Sequence, residues 1–257
     1  MPGAGRGLII ERSCVTIVNR HYNYIFIHVP KAAGKSVKQH LTRHTYGTVG
    51  RYQMQLGFAL DALGSYASAR PGLNNLLPRL AGIGSAPQIR DYCLRQQLPS
   101  SAHLSAQQVC ELLGEQPFSA MFSFGVVRNP WDRCLSAYYY LRDKPFHPLH
   151  KTASSLSFEA FVQAMESGEI PHMGQQALWL CDKQGKLLVN FCARVESINK
   201  DMARVNDTIG LHGRSFQART NVSEKRDRSY RNHYTDKAAE TVSRLMQLDI
   251  ELFNYTY

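Results

Sequence analysis

The run Tyr24-Ile-Phe-Ile-His-Val-Pro-Lys-Ala-Ala-Gly-Lys-Ser36 constrains this chain more than any other stretch. Its first half, Tyr24 to Val29, is apolar, β-branched and aromatic, the composition of a short buried strand. Pro30 ends that strand. Small residues follow at Ala32, Ala33 and Gly34, and Ser36 leads into a helical pattern that continues to about residue 46, with Gly47 as its stop. A strand, a small-residue loop and a helix in succession aim backbone N–H groups and the positive end of a helix dipole at one point. Lys31 and Lys35 add mobile positive charge there. The stretch reads as a cradle for an anion.

A second junction of the same kind lies further on. Residues 118–128 read as a buried strand ending in Arg128. Asn129 is a good N-cap and Pro130 a good first helical residue, and the helix runs on to Leu141. Two strand–turn–helix units predict an α/β fold with a P-loop-like, parallel central sheet flanked by helices.

The anion can be narrowed from the motifs. The nucleotide-binding loop of kinases and hydrolases requires Gly-x-x-x-x-Gly-Lys-Ser/Thr. Gly34-Lys35-Ser36 is present, but Val29 occupies the first glycine position. The stretch instead resembles the phosphosulfate loop of sulfotransferases of the carbohydrate (type 2) branch, hydrophobic-Pro-Lys-x-x-Gly-x-Ser, with Pro30, Lys31, Gly34 and Ser36 in register. Lys35 stands where that pattern often has threonine or a small residue. Arg128-Asn-Pro-Trp-Asp-Arg-x-x-Ser136-Ala-Tyr138 closely resembles the 3′-phosphate motif of the same family. Ala102-His103-Leu104 is similar to its base-bearing stretch, with Ala102 in place of the usual glycine. Arg219-Thr220-Asn221-Val222-Ser223 resembles the loop that closes over the adenine and 3′-phosphate. The segment around Gln176, Trp179, Arg194, Glu196 and Asp201, and the final Asp249 to Tyr255, are also similar to the family. The resemblance spans Tyr24 to Tyr255 and is weakest over residues 50–100.

The resemblance implies a donor, 3′-phosphoadenosine 5′-phosphosulfate (PAPS), with the 3′,5′-bisphosphate (PAP) as product. Lys31 would take the leaving phosphate and bridging oxygen. Backbone N–H groups from Ala32, Ala33, Gly34, Lys35 and Ser36 would hold the 5′-phosphate, with the Ser36 hydroxyl assisting. Arg128 and Ser136 would hold the 3′-phosphate, a dianion suited to a forked cation and a hydroxyl beside a capped helix. Arg219, Thr220, Asn221 and Ser223 would close the nucleotide site. His103 would be the general base in an in-line displacement, since neutral imidazole is available near pH 7. No metal is expected, because lysine and the helix start supply the positive field. The implied acceptor is a hydroxyl on a saccharide or glycolipid, with small hydroxylated metabolites and protein tyrosine left open. The rival reading is a kinase or nucleotide hydrolase that uses Gly34-Lys35-Ser36 with Mg-ATP.

Composition bounds the rest. A chain of 257 residues suffices for one sulfotransferase domain over residues 1–257, with about 50–100 as a variable insertion of short helices and loops. The formal charge of +10 suits a polyanionic partner or a multiply charged cofactor, and also a basic nucleic-acid-binding protein. No recognition motif for nucleic acid is present, so no specific nucleic-acid partner is expected. No run approaches the roughly 18 apolar residues that span a bilayer. The patch Leu8-Ile9-Ile10 is shorter than the about 7–15 residues of a secretory core segment. The chain reads as a cytoplasmic, bacterial-type soluble enzyme, the alternative being a luminal domain cut from its anchor; peripheral membrane association is left open. The six cysteines form no Cys-x-x-Cys pair and are expected as free thiols. His40 and His44, spaced i, i+4, are expected on a solvated face rather than at a metal. Residues 142–157 and 212–233 read as basic loops, and Lys186 to Phe191 as a strand. The sequons at Asn206, Asn221 and Asn254 are attributed to chance.

Overall fold

The computed structural model describes residues 16–45, 104–145, 147–170, 174–217 and 229–257. In chain order its elements are β1 (Ile17–Asn19), β2 (Tyr24–Ile27), α1 (Gly34–Thr45), α2 (Ala106–Leu113), α3 (Glu115–Ser119), β3 (Phe122–Val127), α4 (Pro130–Arg142), α5 (His150–Ser155), α6 (Phe158–Glu166), α7 (Ala177–Leu180), β4 (Phe191–Arg194), α8 (Ile198–Thr208), α9 (Asp236–Leu245) and α10 (Gln247–Phe253). Single 3₁₀ turns cover Val195–Ser197 and Tyr230–His233. The chain divides into two compact bodies, one carrying 12–127 and 178–220, the other 128–177 and 221–257.

The first body holds the sheet, in the order β1-β2-β3-β4. β1 runs antiparallel to β2, with Ile17 opposite Phe26. β2, β3 and β4 are mutually parallel, with Ile27 opposite Gly125 and Val127 opposite Arg194. The expected α/β class, a mostly parallel central sheet with flanking helices, is the one found. All four residues of β2 are buried, as a parallel strand covered on both faces requires. The Phe26 and Phe124 rings lie 5.2 Å apart, and Leu180 packs so close over Gly125 that a β-carbon there would fall 2.5 Å from its Cδ2. α1 buries Val37 and Leu41, each contributing about 1.5–3 kcal/mol. Its last turn is tied to β2: the Thr45 hydroxyl donates to Leu41 O, so the Tyr24 hydroxyl donates to Thr45 Oγ1 at 2.9 Å. The Ser105–Gln108 capping box opens α2. Asp201 of α8 accepts from the Arg194 N–H and the Ser197 hydroxyl, fixing the end of β4.

Several boundaries differ from the sequence reading. β2 stops at Ile27, two residues before the expected end, because its pairing with β3 ends at Ile27 opposite Gly125. Phe118 and Ser119 belong to α3, not to the strand that follows: Gly114 begins that helix and Pro117 sits in its first turn, where no donor is needed. Lys186 to Asn190 is not a strand of the sheet. Asp182 caps a turn through the N–H groups of Gln184 and Lys186, Leu187 forms only a bridge to Cys181, and regular pairing with β3 begins at Phe191. The expected loop over 142–157 contains α5.

The second body is helical. Asn129 caps α4 by accepting from the N–H groups of Trp131 and Asp132, with Pro130 at the first helical position. Trp131 Nε1 donates to Ala239 O of α9. The Tyr138 ring packs at a tilt against those of Phe158 and Phe161 of α6, with centroids 5.3 and 5.2 Å away. The final helical stretch is two helices, α9 and α10, parted at Met246. Cys110, Cys134, Cys181 and Cys192 are free thiols; Cys14 and Cys93 lie outside the described residues.

Candidate active site

The parallel strands leave the sheet from one edge, so the loop after β2 and the chain after β3 start there. This is the edge at which open α/β sheets bind ligands. The β2–α1 loop turns on two residues with left-handed backbones, Lys31 (φ 66°) and Ala33 (φ 55°). Such turns make a concave nest of N–H groups. The Ala32 N–H reaches Val29 O at 3.4 Å, and the Ser36 N–H donates to Ala33 O at 3.0 Å. Of the five N–H groups expected to cradle a phosphate, Ala32 and Ser36 therefore already have backbone partners. Those of Ala33, Gly34 and Lys35 donate to no described residue. No acidic residue lies in the first turn of α1. Lys31 and Ser36 are half-buried and Lys35 is exposed.

Sequence reasoning missed the support beneath this loop. His28 is buried, stacked on Phe26 with ring centroids 6.0 Å apart, and its imidazole lies against the α-carbon of Gly34. Nothing in residue spacing marks a histidine at a strand end as the floor of a loop six residues on.

At the second junction Arg128 is half-buried and its Nε donates to Asp132 Oδ2 at 2.5 Å. The Arg128 N–H donates to Gln176 Oε1 at 2.9 Å, and Gln176 Nε2 donates to Arg128 O at 2.8 Å. Asp132 and Ser136 follow at four-residue steps, which puts both on one face of α4 with Ser136 half-buried. Asn129 Nδ2 donates to Tyr230 Oη and Thr256 O, which anchors the cap. Arg133 is fully buried, and burial holds its guanidinium down to about 10, against the opposing pull of Asp249. Burial likewise pushes the Asp249 carboxyl up, against hydrogen bonds from Gln176 and Ala177 and the charge of Arg133. Asp132, Arg133, Gln176 and Asp249 were visible in the sequence only as members of a pattern.

His103, Arg219, Thr220, Asn221 and Ser223 lie outside the described residues. The residue after His103 is within them: Leu104 is buried, its N–H donates to Thr16 Oγ1, and the Thr16 hydroxyl donates to Leu104 O. Ile17 pairs with Phe26, so Thr16 stands beside the C-terminal end of β2. His40 is buried rather than solvated, and its Nε2 lies 2.9 Å from Asn206 Oδ1. A glycan on Asn206 is incompatible with this fold, since that side chain is buried and also donates to Arg214 O. Among the described residues no cluster of His, Cys, Asp or Glu is placed to hold a metal ion, and no helix is long and apolar enough to cross a membrane.

A mostly parallel sheet with flanking helices, whose β2–α1 loop presents a nest of N–H groups chemically suited to an anion, defines an α/β protein. A family model described as the sulfotransferase family matches residues 15–256, nearly the whole chain. The chain belongs to that family and is a transferase of the sulfuryl group. No curated relative and no solved structure matches it.

Proposed function

We propose that the chain moves the sulfuryl group from PAPS to an acceptor hydroxyl, with a saccharide or glycolipid as the acceptor. The observation that carries this reading is the β2–α1 loop: two left-handed residues, three successive N–H groups with no described partner, no first-turn acid, and Lys31 and Lys35 alongside. That donor set fits a phosphosulfate, whose oxygens are all acceptors.

In this reading Ala33, Gly34 and Lys35 supply N–H donors to the 5′-phosphate, and Ser36 contributes through its hydroxyl. Ala32 shapes the turn. Lys31 faces the bridging oxygen and neutralises the charge that develops on the departing phosphate. Arg128 and Ser136 take the 3′-phosphate, with Arg219, Thr220, Asn221 and Ser223 closing over the nucleotide. The acceptor oxygen attacks sulfur in line with the sulfur–oxygen bond that breaks. The acceptor proton passes to His103, and the electron pair of the broken bond leaves with PAP.

Thermal melting of the full chain with PAP and, separately, with Mg-ATP tests the reading against its rival. The sulfotransferase reading expects stabilisation by PAP without magnesium. Stabilisation by Mg-ATP alone would favour a kinase or hydrolase.

A further inference from the structure

The peptide of Arg128, at the β3–α4 junction, is gripped on both sides by a single side chain. The carboxamide of Gln176 accepts from its N–H at 2.9 Å and donates to its C=O at 2.8 Å. β3 has ended at Val127, so the amide plane replaces the sheet partner that the next residue has lost. Gln176 is fully buried, and a planar amide with both ends engaged has no rotamer to spare.

The grip is itself held. The Gln176 and Ala177 N–H groups donate to Asp249 Oδ2 and Oδ1, both at 2.8 Å. The Leu248 N–H donates to Gln175 Oε1 at 2.7 Å, and Arg133 Nη1 donates to Gly174 O at 2.8 Å. Residues 174–177 thus form a strap fixed to α4 and to α10. Arg133 and Asp249 are both buried charges, and burying charge costs stability even when it is compensated. Replacing a buried charge pair by well-packed apolar residues is often neutral or stabilising. Both charges are engaged with the strap, Arg133 at Gly174 and Asp249 at Gln176 and Ala177.

We propose that Gln176 is a positioning residue for the phosphate-binding arm: it sets the backbone of Arg128, and with it the direction in which the guanidinium leaves. Asp132 holds the other end of the same side chain at Nε. Fixed at root and head, the arm is pre-organised for a planar two-point contact, so less ordering remains to be done when the ligand binds. This rests on the reading of Arg128 as the 3′-phosphate residue and adds the device that aims it.

The test is PAP affinity by titration calorimetry on the full chain, well below every melting point, for wild type, Gln176→Met, Ser157→Ala and Arg128→Ala. Gln176→Met keeps the side chain's size and removes both bonds to Arg128. Ser157→Ala removes the hydroxyl that caps α6 by accepting from the Ala160 N–H in the same body, and so controls for general loss of stability. We expect Gln176→Met to weaken PAP binding about tenfold while Ser157→Ala binds as wild type. If Gln176→Met does not fold, Gln176→Glu, which keeps the acceptor and loses the donor, carries the same expectation. Wild-type affinity in the Gln176 variant, with weakened binding in Arg128→Ala, would overturn the positioning role alone. Equal weakening in Ser157→Ala would also overturn it. Wild-type affinity in Arg128→Ala would overturn the reading of Arg128 on which the role depends.

Discussion

The imidazole of His28 lies against the backbone of Gly34: a β-carbon at position 34 would fall 2.1 Å from Nε2 and 2.2 Å from Cδ2. The ring cannot swing aside cheaply, because it is buried and stacked on Phe26. Gly34→Ala is therefore expected to cost about 1–3 kcal/mol by overpacking. In a His28→Ala background the same substitution should cost little. Thermal melts of the two single variants and the double variant measure that coupling. Additive losses would mean that the two residues do not restrain each other.

The left-handed backbones at Lys31 and Ala33 each cost on the order of 1 kcal/mol in a residue with a β-carbon. Glycine removes that strain and adds back part of it as chain entropy. Ala33→Gly should thus raise the melting point slightly. Lys31→Gly should leave the melting point unchanged or higher while turnover falls by about two orders of magnitude. A melting point that falls with turnover would make Lys31 a structural residue.

Acid should weaken the fold through His40. Asn206 Nδ2 is committed to Arg214 O, so Asn206 Oδ1 faces His40 and Nε2 carries the proton of a neutral ring. Burial holds the His40 pKa below its ordinary 6.5, opposed by the Asn206 bond and reinforced by Arg43. His44, whose ring is 4.8 Å away, is lowered in the same direction, by burial first and then by His40 and Arg214. The unfolded chain therefore takes up protons at a pH where the folded one resists them. The contribution is complete above about pH 6.5 and is lost as pH falls through the lower, folded values. Denaturant midpoints from pH 7.5 down to pH 5 should decline, and less steeply in His40→Gln. The same slope in both proteins would remove His40 from the account.

His103→Ala should lower turnover by about two orders of magnitude with PAP affinity unchanged, as expected for a base that touches acceptor and not nucleotide. A near-normal rate would exclude it as the base.

The two junctions were legible because their signals are local. A β-branched and aromatic run, a proline stop and a small-residue loop gave β2 and α1. Asn129 followed by Pro130 gave the start of α4. Periodicity failed where a short apolar run could serve either structure, as at Phe118, which closes a helix before β3 begins. The supporting roles around the site were not legible. His28 beneath Gly34, and Gln176 and Asp249 behind Arg128, act across 6, 48 and 121 positions of chain, separations that no local pattern encodes. His40 was misjudged for the same reason, since its partner Asn206 lies 166 residues away.

The central proposal is that Lys31 and Arg128 each contribute to binding PAP. Calorimetric titration of PAP into wild type, Lys31→Ala, Arg128→Ala and the double variant tests it most directly. The account predicts binding without magnesium in the wild type and a loss of about tenfold or more in each single variant. It also predicts no measurable binding in the double variant. Wild-type affinity in either single variant, or binding that appears only for Mg-ATP, would contradict it.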